Sequence, residues 1–254
     1  VAGAALATIV SQILSAVLAT AKLMRSKEAY RITLKGIGLH RKLLGRMLHI
    51  GIPAGLQSSM YAISNMIIQV AVNLLGTATV AAWSLSGKID GFYWACSNAA
   101  GIAVMNFAAQ NYGAGRMDRV HDCEKLSLKL FMGVTLLFSA LLLGVGRFLL
   151  PVFNDDAEVL AKTWQVMLYM VPLYFTWTYI EIISGVLRGI GDAVVPVIII
   201  GVGVCLLRVV WIATVYRSHP NMLNVCLAYP ISWIVTDVAF FFYYRRVKWL
   251  YHIK

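Results

Sequence analysis

Three charged side chains lie within long apolar stretches of the chain, where a charge is costly. Glu181, Asp90 and Lys88 each interrupt sequence that is otherwise hydrophobic or aromatic. Such residues need a partner or a hydrated cavity, and they commonly mark ion or substrate pathways. A carboxylate in a low-dielectric site is stabilised by a proton or by an approaching cation. We therefore predict cation exchange at Glu181 first and at Asp90 second. Lys88 could instead keep Asp90 ionised, and structural pairing with another span is the alternative for Lys88 and Asp90.

Aromatic residues precede Glu181 within two helical turns. Ring faces attract cations, so Tyr174 and Trp177 could receive a lipophilic cation together with the Glu181 carboxylate. Rings in membrane helices more often pack or anchor at the interface, which is the alternative for both residues. A further hypothesis pairs Arg208 with Asp237, each of which also lies in an apolar stretch.

Uncharged polar side chains recur every four residues in the stretch that begins near residue 48. This polar track consists of Gln57, Tyr61, Asn65, Gln69 and Asn73. A step of four residues exceeds one helical turn by about 40°, so the track winds slowly around a helix. Amides facing lipid would be costly, so the track should face protein or water. Two interpretations stay open, namely the lining of a binding path and hydrogen bonding between helices.

Long apolar stretches fill most of the chain and contain all of these residues. Each stretch is long enough to form a membrane-spanning helix. A spanning helix needs about 20 apolar residues, and helices satisfy their own backbone hydrogen bonds inside a bilayer. Hydrophobic residues make up 60% of the sequence and charged residues 13%. We predict an all-α, polytopic membrane bundle with seven spans, at 2–21, 48–75, 77–108, 126–150, 164–187, 194–216 and 223–244.

Lys and Arg residues fall mainly on alternate connections between these stretches. The opposite connections carry only Arg147, Lys162 and Arg217. The positive-inside rule therefore predicts a cytoplasmic C-terminus and an N-terminus outside, in a multi-pass protein of the plasma or inner membrane. The net charge of +11 then reflects topology and contact with lipid headgroups, not nucleic-acid binding.

Several kinds of site are missing from the sequence. Its four cysteines form no CxxC pair, its histidines form no HxxxH pair, and no phosphate-binding loop or nucleophile elbow occurs. These absences disfavour a metal site, a cofactor and an enzyme. The chain also begins at Val1 inside apolar sequence, which we interpret as a fragment.

Five motifs in order resemble the second half of the multidrug and toxic compound extrusion (MATE) family. The motifs are Gly51 to Gly55, Asn73 to Gly76, Gly87 to Phe92, Gln110 to Gly115 and Glu181 to Asp192, and the likeness covers about residues 40–245. The resemblance implies twelve helices in two bundles of six. It assigns 1–21 to the last helix of the N-terminal bundle, 22–47 to a cytoplasmic linker, 48–245 to the complete C-terminal bundle and 246–254 to a basic tail. The linker could lie on the membrane through Leu34, Ile37, Leu44 and Leu48, or could be flexible.

The same resemblance implies a secondary antiporter that exports organic, often cationic and amphipathic compounds in exchange for Na⁺ or H⁺. Two bundles would rock around a central cavity, so a missing N-terminal bundle is expected as a partner. No other cofactor is implied. The residues assigned to structure or gating are Gln110, Asn111, Gly113, Gly115, Arg188 and Gly189.

One departure from the family leaves the coupling ion open. Some relatives carry a cation-binding carboxylate in the first helix of this bundle, whereas residues 48–75 contain no acid. The alternatives in function are a flippase for lipid-linked precursors, which an arginine-rich cavity would favour, and a seven-helix receptor-like protein. A retinal protein would need a Lys within 223–244, and none is present.

Overall fold

A computed structural model describes residues 2–27, 31–33 and 38–250. Its eight main helices are α1 Ala2–Arg25, α2 Arg41–Asn73, α3 Thr77–Gly113, α4 Met117–Leu149, α5 Ala157–Met170, α6 Phe175–Gly189, α7 Val194–Tyr216 and α8 Met222–Leu250. Each of the seven predicted apolar stretches falls on these helices. The all-α prediction is confirmed for the part of the chain described.

The chain divides into a unit that ends at Leu48 and a second unit that begins at His49. In the first unit, α1 is exposed along most of its length. The predicted linker 22–47 overlaps the end of α1 and the start of α2, and Leu34 and Ile37 lie outside the described residues. At the other end, α8 continues to Leu250, past the predicted start of the tail at 246.

Four helices are long and apolar enough to cross a membrane, judged by length and composition over the described residues. They are Ala5–Arg25, Met117–Val152, Val194–Tyr216 and Met222–Val247. The pair Ala157–Leu173 and Phe175–Gly189 also passes when taken as one bent span. Helices α2 and α3 have 33 and 37 residues, which is ample length. Their polar side chains set them apart from the four apolar helices.

The predicted stretch 164–187 is not one straight helix. It bends by 51° between α5 and α6, where Val171–Leu173 forms a 3₁₀ turn that contains Pro172. Proline lacks an N–H and clashes with the preceding helical turn, which explains the break. Because of this bend, residues before and after Tyr174 do not share one helical face.

Glycines end α3 and α6 in the same way. Gly115 has φ +71° and Gly191 has φ +95°, in the left-handed region. After α3, the Gly115 N–H donates to Tyr112 O and the Arg116 N–H to Asn111 O; Gly191 and Asp192 repeat this pattern after α6. These are Schellman motifs, in which glycine avoids the strain that a side chain would cause. Gly113 and Gly115 were both assigned to structure or gating, but of the two only Gly115 has a positive φ, and Gly113 is the last residue of α3.

Helices α3 and α6 pack backbone against backbone. A Cβ added at Gly185 would lie 2.9 Å from Gly101 O, and one added at Gly189 would lie 2.6 Å from Met105 O. Small residues of this kind let membrane helices approach backbone to backbone. Two hydrogen bonds add to the contact, from Trp177 Nε1 to Ser97 Oγ (3.0 Å) and from Tyr93 Oη to Tyr174 O (3.1 Å).

Candidate functional site

A cavity of about 760 Å³ opens between α2, α3 and α6, with α7 and α8 completing its wall. All of its lining residues belong to the second unit of the chain. The lining combines two carboxylates, two guanidinium groups, uncharged amides and hydroxyls, and five large aromatic rings. A cavity of this size with convergent polar groups can hold a small organic molecule.

The polar track on α2 forms one wall of the cavity. Gln57, Tyr61, Asn65 and Gln69 all line it, as does Ser58 beside them. Asn73 does not, and its Oδ1 accepts a hydrogen bond of 2.9 Å from Gln69 Nε2. The structure therefore places four of the five track residues on the cavity and leaves the last at the helix end. Of the two interpretations left open, this position supports a binding path.

Glu181 lies on the opposite wall and packs against the backbone of α3. Its carboxylate occupies the space beside Gly101, and a Cβ added at Gly101 would overlap Glu181 Oε1. Glycine at position 101 thus makes room for this acid between two tightly packed helices. Arg188, two turns further along α6, lines the same cavity and donates from Nε to Ser184 O at 3.2 Å.

Asp90 also lines the cavity, and its side chain is buried. Its Oδ1 has no hydrogen-bond partner, and the Tyr174 hydroxyl lies beside the carboxyl group. Lys88 is exposed, does not line the cavity and forms no ion pair with Asp90. The predicted role of Lys88 at this site is therefore not supported by its position, because residues two apart on a helix face different directions.

The aromatic residues divide between the cavity and the core. Trp177 lines the cavity, with ring centroids 5.4 Å from Trp94 and 6.5 Å from Tyr61. Tyr174 is fully buried and stacks on Tyr93 at 4.5 Å. Of the two predicted aromatic ligands, the structure brings only Trp177 to the cavity. The bend before α6 explains the separation.

The hypothesis that pairs Arg208 with Asp237 is wrong. Arg208 Nε donates to Ser232 Oγ at 3.1 Å, and the guanidinium lies 4.0 Å over the Tyr229 ring. Asp237 is not among the cavity residues, whereas Arg208 is. Four lining residues were not predicted from the sequence, namely Asn98, Trp83, Trp94 and Tyr229. Their spacing carries no signal comparable to the repeat of four on α2.

The residues assigned to structure or gating occupy three settings. Gln110 O accepts from the Ala114 N–H, and Asn111 Nδ2 donates to Phe107 O at 2.9 Å, both at the end of α3. Gly189 lies in the close contact between α3 and α6. Arg188 alone reaches the cavity.

A polytopic helix bundle with a polar cavity between its long helices is the architecture of a membrane transporter. The MatE family model matches residues 53–214 of this chain. The chain belongs to the MatE family of transporters, which confirms the resemblance found in the sequence.

Relatives of known name agree with this assignment. The probable multidrug resistance protein YoeA of Bacillus subtilis (strain 168) is 25% identical, and the match covers 96% of this chain and 54% of that protein. The probable multidrug resistance protein YpnP of the same organism is 24% identical over 80% of this chain and 45% of its own length. The chain therefore spans about half the length of the curated relatives it matches.

The fold matches solved transporters over nearly the whole chain. A structure titled as the outward-facing conformation of a multidrug resistance MATE family transporter of the MOP superfamily has a TM-score of 0.87. Its sequence identity is 17%, and the match covers 99% of this chain and 57% of that one. The predicted polytopic membrane bundle is thereby confirmed.

Proposed function

We propose that this chain provides the substrate-binding bundle of a secondary antiporter that exports organic, often cationic and amphipathic compounds in exchange for Na⁺ or H⁺. The observation that carries the proposal is the cavity itself, in which Glu181 and Asp90 face a space lined by aromatic rings. Rings and carboxylates together bind a lipophilic cation through apolar contact, charge and cation–π attraction.

Coupling would depend on competition at the carboxylates. A buried acid is stabilised by a proton, by a metal cation or by a cationic substrate, and it cannot hold all of them at once. Glu181 is the first candidate because Gly101 and α6 hold it at the cavity edge. Asp90, with one unpartnered oxygen, is the second.

Alternating access needs a second body to move against this bundle. The curated relatives are about twice as long as the matched region, which supports a further bundle in the same polypeptide. We therefore expect that the 254-residue chain alone does not perform ion-driven export from liposomes. Concentrative efflux by the purified chain would contradict this expectation.

The role of Glu181 can be tested by removing its charge. In a full-length transporter that contains this chain, Glu181→Gln should lower efflux of a cationic dye by about 10-fold or more, since a charge-assisted contact of ~1.4 kcal/mol or more is lost. Glu158→Gln is the matched control, because Glu158 is exposed and pairs with Lys162 outside the cavity. Efflux and membrane content are measured together across a series of pH and Na⁺ concentrations. An unchanged rate for Glu181→Gln at normal membrane content would reject the coupling role.

The orientation in the plasma or inner membrane is a further part of the proposal. The basic connections support a cytoplasmic C-terminus. Single cysteines at Asp155 and Asp156 should then react with an impermeant thiol reagent in intact cells, and cysteines at Arg116 and Arg246 should react only after permeabilisation. The reverse pattern would refute the assignment.

A flippase for lipid-linked precursors is the second candidate, and the two arginines in the cavity, Arg188 and Arg208, favour it. Such a substrate carries phosphate, which guanidinium groups bind well. The two carboxylates and five aromatic rings in the same lining argue for the drug-like substrate.

A further inference from the structure

Arg208 is a buried guanidinium with unused hydrogen-bonding capacity. Only 4% of the residue is exposed, yet it belongs to the cavity lining. Its Nε donates to Ser232 Oγ, and this is the one hydrogen bond that the Arg208 side chain makes within the described residues. The Nη groups, which carry four of the five N–H donors of a guanidinium, are left without a protein acceptor.

No carboxylate of the described residues lies within ion-pair distance of Arg208. The three ion pairs found there join Arg116 to Asp118, His121 to Glu124 and Lys162 to Glu158. Stacking on Tyr229, at 4.0 Å, offsets part of the cost of burying the charge. A buried charge without a counter-charge remains unfavourable, and it is stabilised when an anion supplies one.

The surroundings of Arg208 offer a second polar group to the same ligand. The Tyr61 hydroxyl is buried close to Arg208 and to the Gln57 side chain, and Tyr61 lines the cavity on the facing helix α2. The backbone near Arg208 is also unusual. Arg208 lies in a short α-helical stretch between two π-helical stretches of α7, Gly201–Leu206 and Ile212–Tyr216. Such π turns redirect side chains and are frequent at functional sites.

We infer that Arg208 binds an anionic group on the transported compound, a carboxylate or a phosphate, and that the cavity accepts zwitterionic aromatic molecules. The cationic end of such a molecule is held by Glu181 and Asp90, its rings lie against Trp94 and Trp177, and its anionic end meets the Arg208 Nη groups. This inference rests on the proposed export function and specifies the substrate class of the same cavity.

A purely structural role for Arg208 makes a different prediction. Stacking on Tyr229 and the hydrogen bond to Ser232 join α7 to α8 and do not depend on the charge of a ligand. A structural residue would therefore alter the binding of a dye with a carboxylate and of its ester, which lacks the anionic group, to the same degree. The ratio of the two affinities separates the roles, and it is insensitive to the amount of folded protein.

The experiment compares two rhodamine dyes. The first carries a free carboxylate, and the second is its ethyl ester, which keeps the same cationic ring system. Binding to the purified 254-residue chain is measured by fluorescence polarisation in a maltoside detergent, which contains no phosphate that could act as the anion. The parent chain should bind the carboxylate dye more tightly than the ester, although the ester is more apolar. Equal or tighter binding of the ester would overturn the inference.

Variants localise the effect to Arg208. Arg208→Met should weaken binding of the carboxylate dye by about 10-fold or more and leave the ester within about 2-fold, as expected for loss of a charge-assisted hydrogen bond. Arg208→Lys should retain part of the preference. Arg217→Met is the matched control, because Arg217 follows α7 and is exposed, and it should change neither affinity.

If Arg208→Met weakens binding of both dyes to the same degree, the anion-binding role of Arg208 is rejected and the proposed export function still stands. Failure of the parent chain to bind either dye would reject the proposed substrate role of the cavity.

Discussion

The two walls of the cavity are built differently. On one wall, α3 and α6 meet through Gly101, Gly185 and Gly189, and this wall carries both carboxylates. On the other, α2 presents uncharged side chains one turn apart, none of them an acid or a base. Both carboxylates thus lie on the wall where two helix backbones pack closely.

The largest effect is expected when a substitution separates α3 from α6 in the packed wall. Gly189→Ala would place a Cβ 2.6 Å from Met105 O and 2.7 Å from the Ala108 Cβ, so α3 and α6 must separate. We expect a loss of about 1–3 kcal/mol of stability, the usual cost of overpacking. Thermal unfolding in detergent measures it.

Gly133→Ala supplies the control for that substitution. Gly133 lies in α4, and a Cβ there meets nothing within 4 Å. Alanine favours helix over glycine by up to about 1 kcal/mol, so this variant should be neutral or more stable. Equal melting temperatures for the two variants would show that α3 and α6 are not packed as described.

A smaller effect is expected at the turn that ends the packed wall. Gly115→Ala puts a side chain at φ +71°, which costs about 1–2 kcal/mol. Gly113→Ala, two residues earlier in the helix, meets nothing within 4 Å and should not destabilise. The same unfolding assay compares them. Equal loss at both positions would mean that the turn depends on flexibility rather than on one left-handed residue.

The smallest effect is expected on the uncharged wall. Asn65→Ala removes one amide from the cavity lining and should weaken binding of a cationic dye by less than about 10-fold, because a neutral hydrogen bond contributes roughly 1 kcal/mol. Asn73→Ala removes an amide of the same track that lies outside the lining, and it should leave affinity unchanged. A larger loss for Asn65→Ala than for Glu181→Gln would reverse the roles assigned to the walls.

The polar track on α2 was predictable because its signal is local. A repeat of four residues turns by a known angle on any helix. Polar side chains are costly in lipid, so a polar track within a membrane helix must face protein or water. Gln57, Tyr61, Asn65 and Gln69 accordingly share the cavity. Glu181 and Asp90 were recognisable for the related reason that a charge in an apolar stretch must find a polar environment.

The errors arose where the direction of a side chain depends on neighbouring helices. Lys88 and Asp90 have the same sequence signal, yet only Asp90 faces the cavity. Tyr174 and Trp177 are three residues apart, but Tyr174 lies in the break before α6 and packs into the core. Arg208 was paired with an acid because both are charged, whereas its contacts are an aromatic ring and a hydroxyl.

Sequence alone determined the class of fold, the family, the approximate positions of the apolar helices and the residue types that must avoid lipid, because hydrophobicity and helical periodicity act over neighbouring residues. Tertiary structure decided which of those residues meet. The bend at Pro172, the close contact between α3 and α6 and the π turns around Arg208 set the rotation of each helix. That rotation brings Glu181, Asp90 and Arg208 into one cavity and leaves Lys88 and Tyr174 outside it.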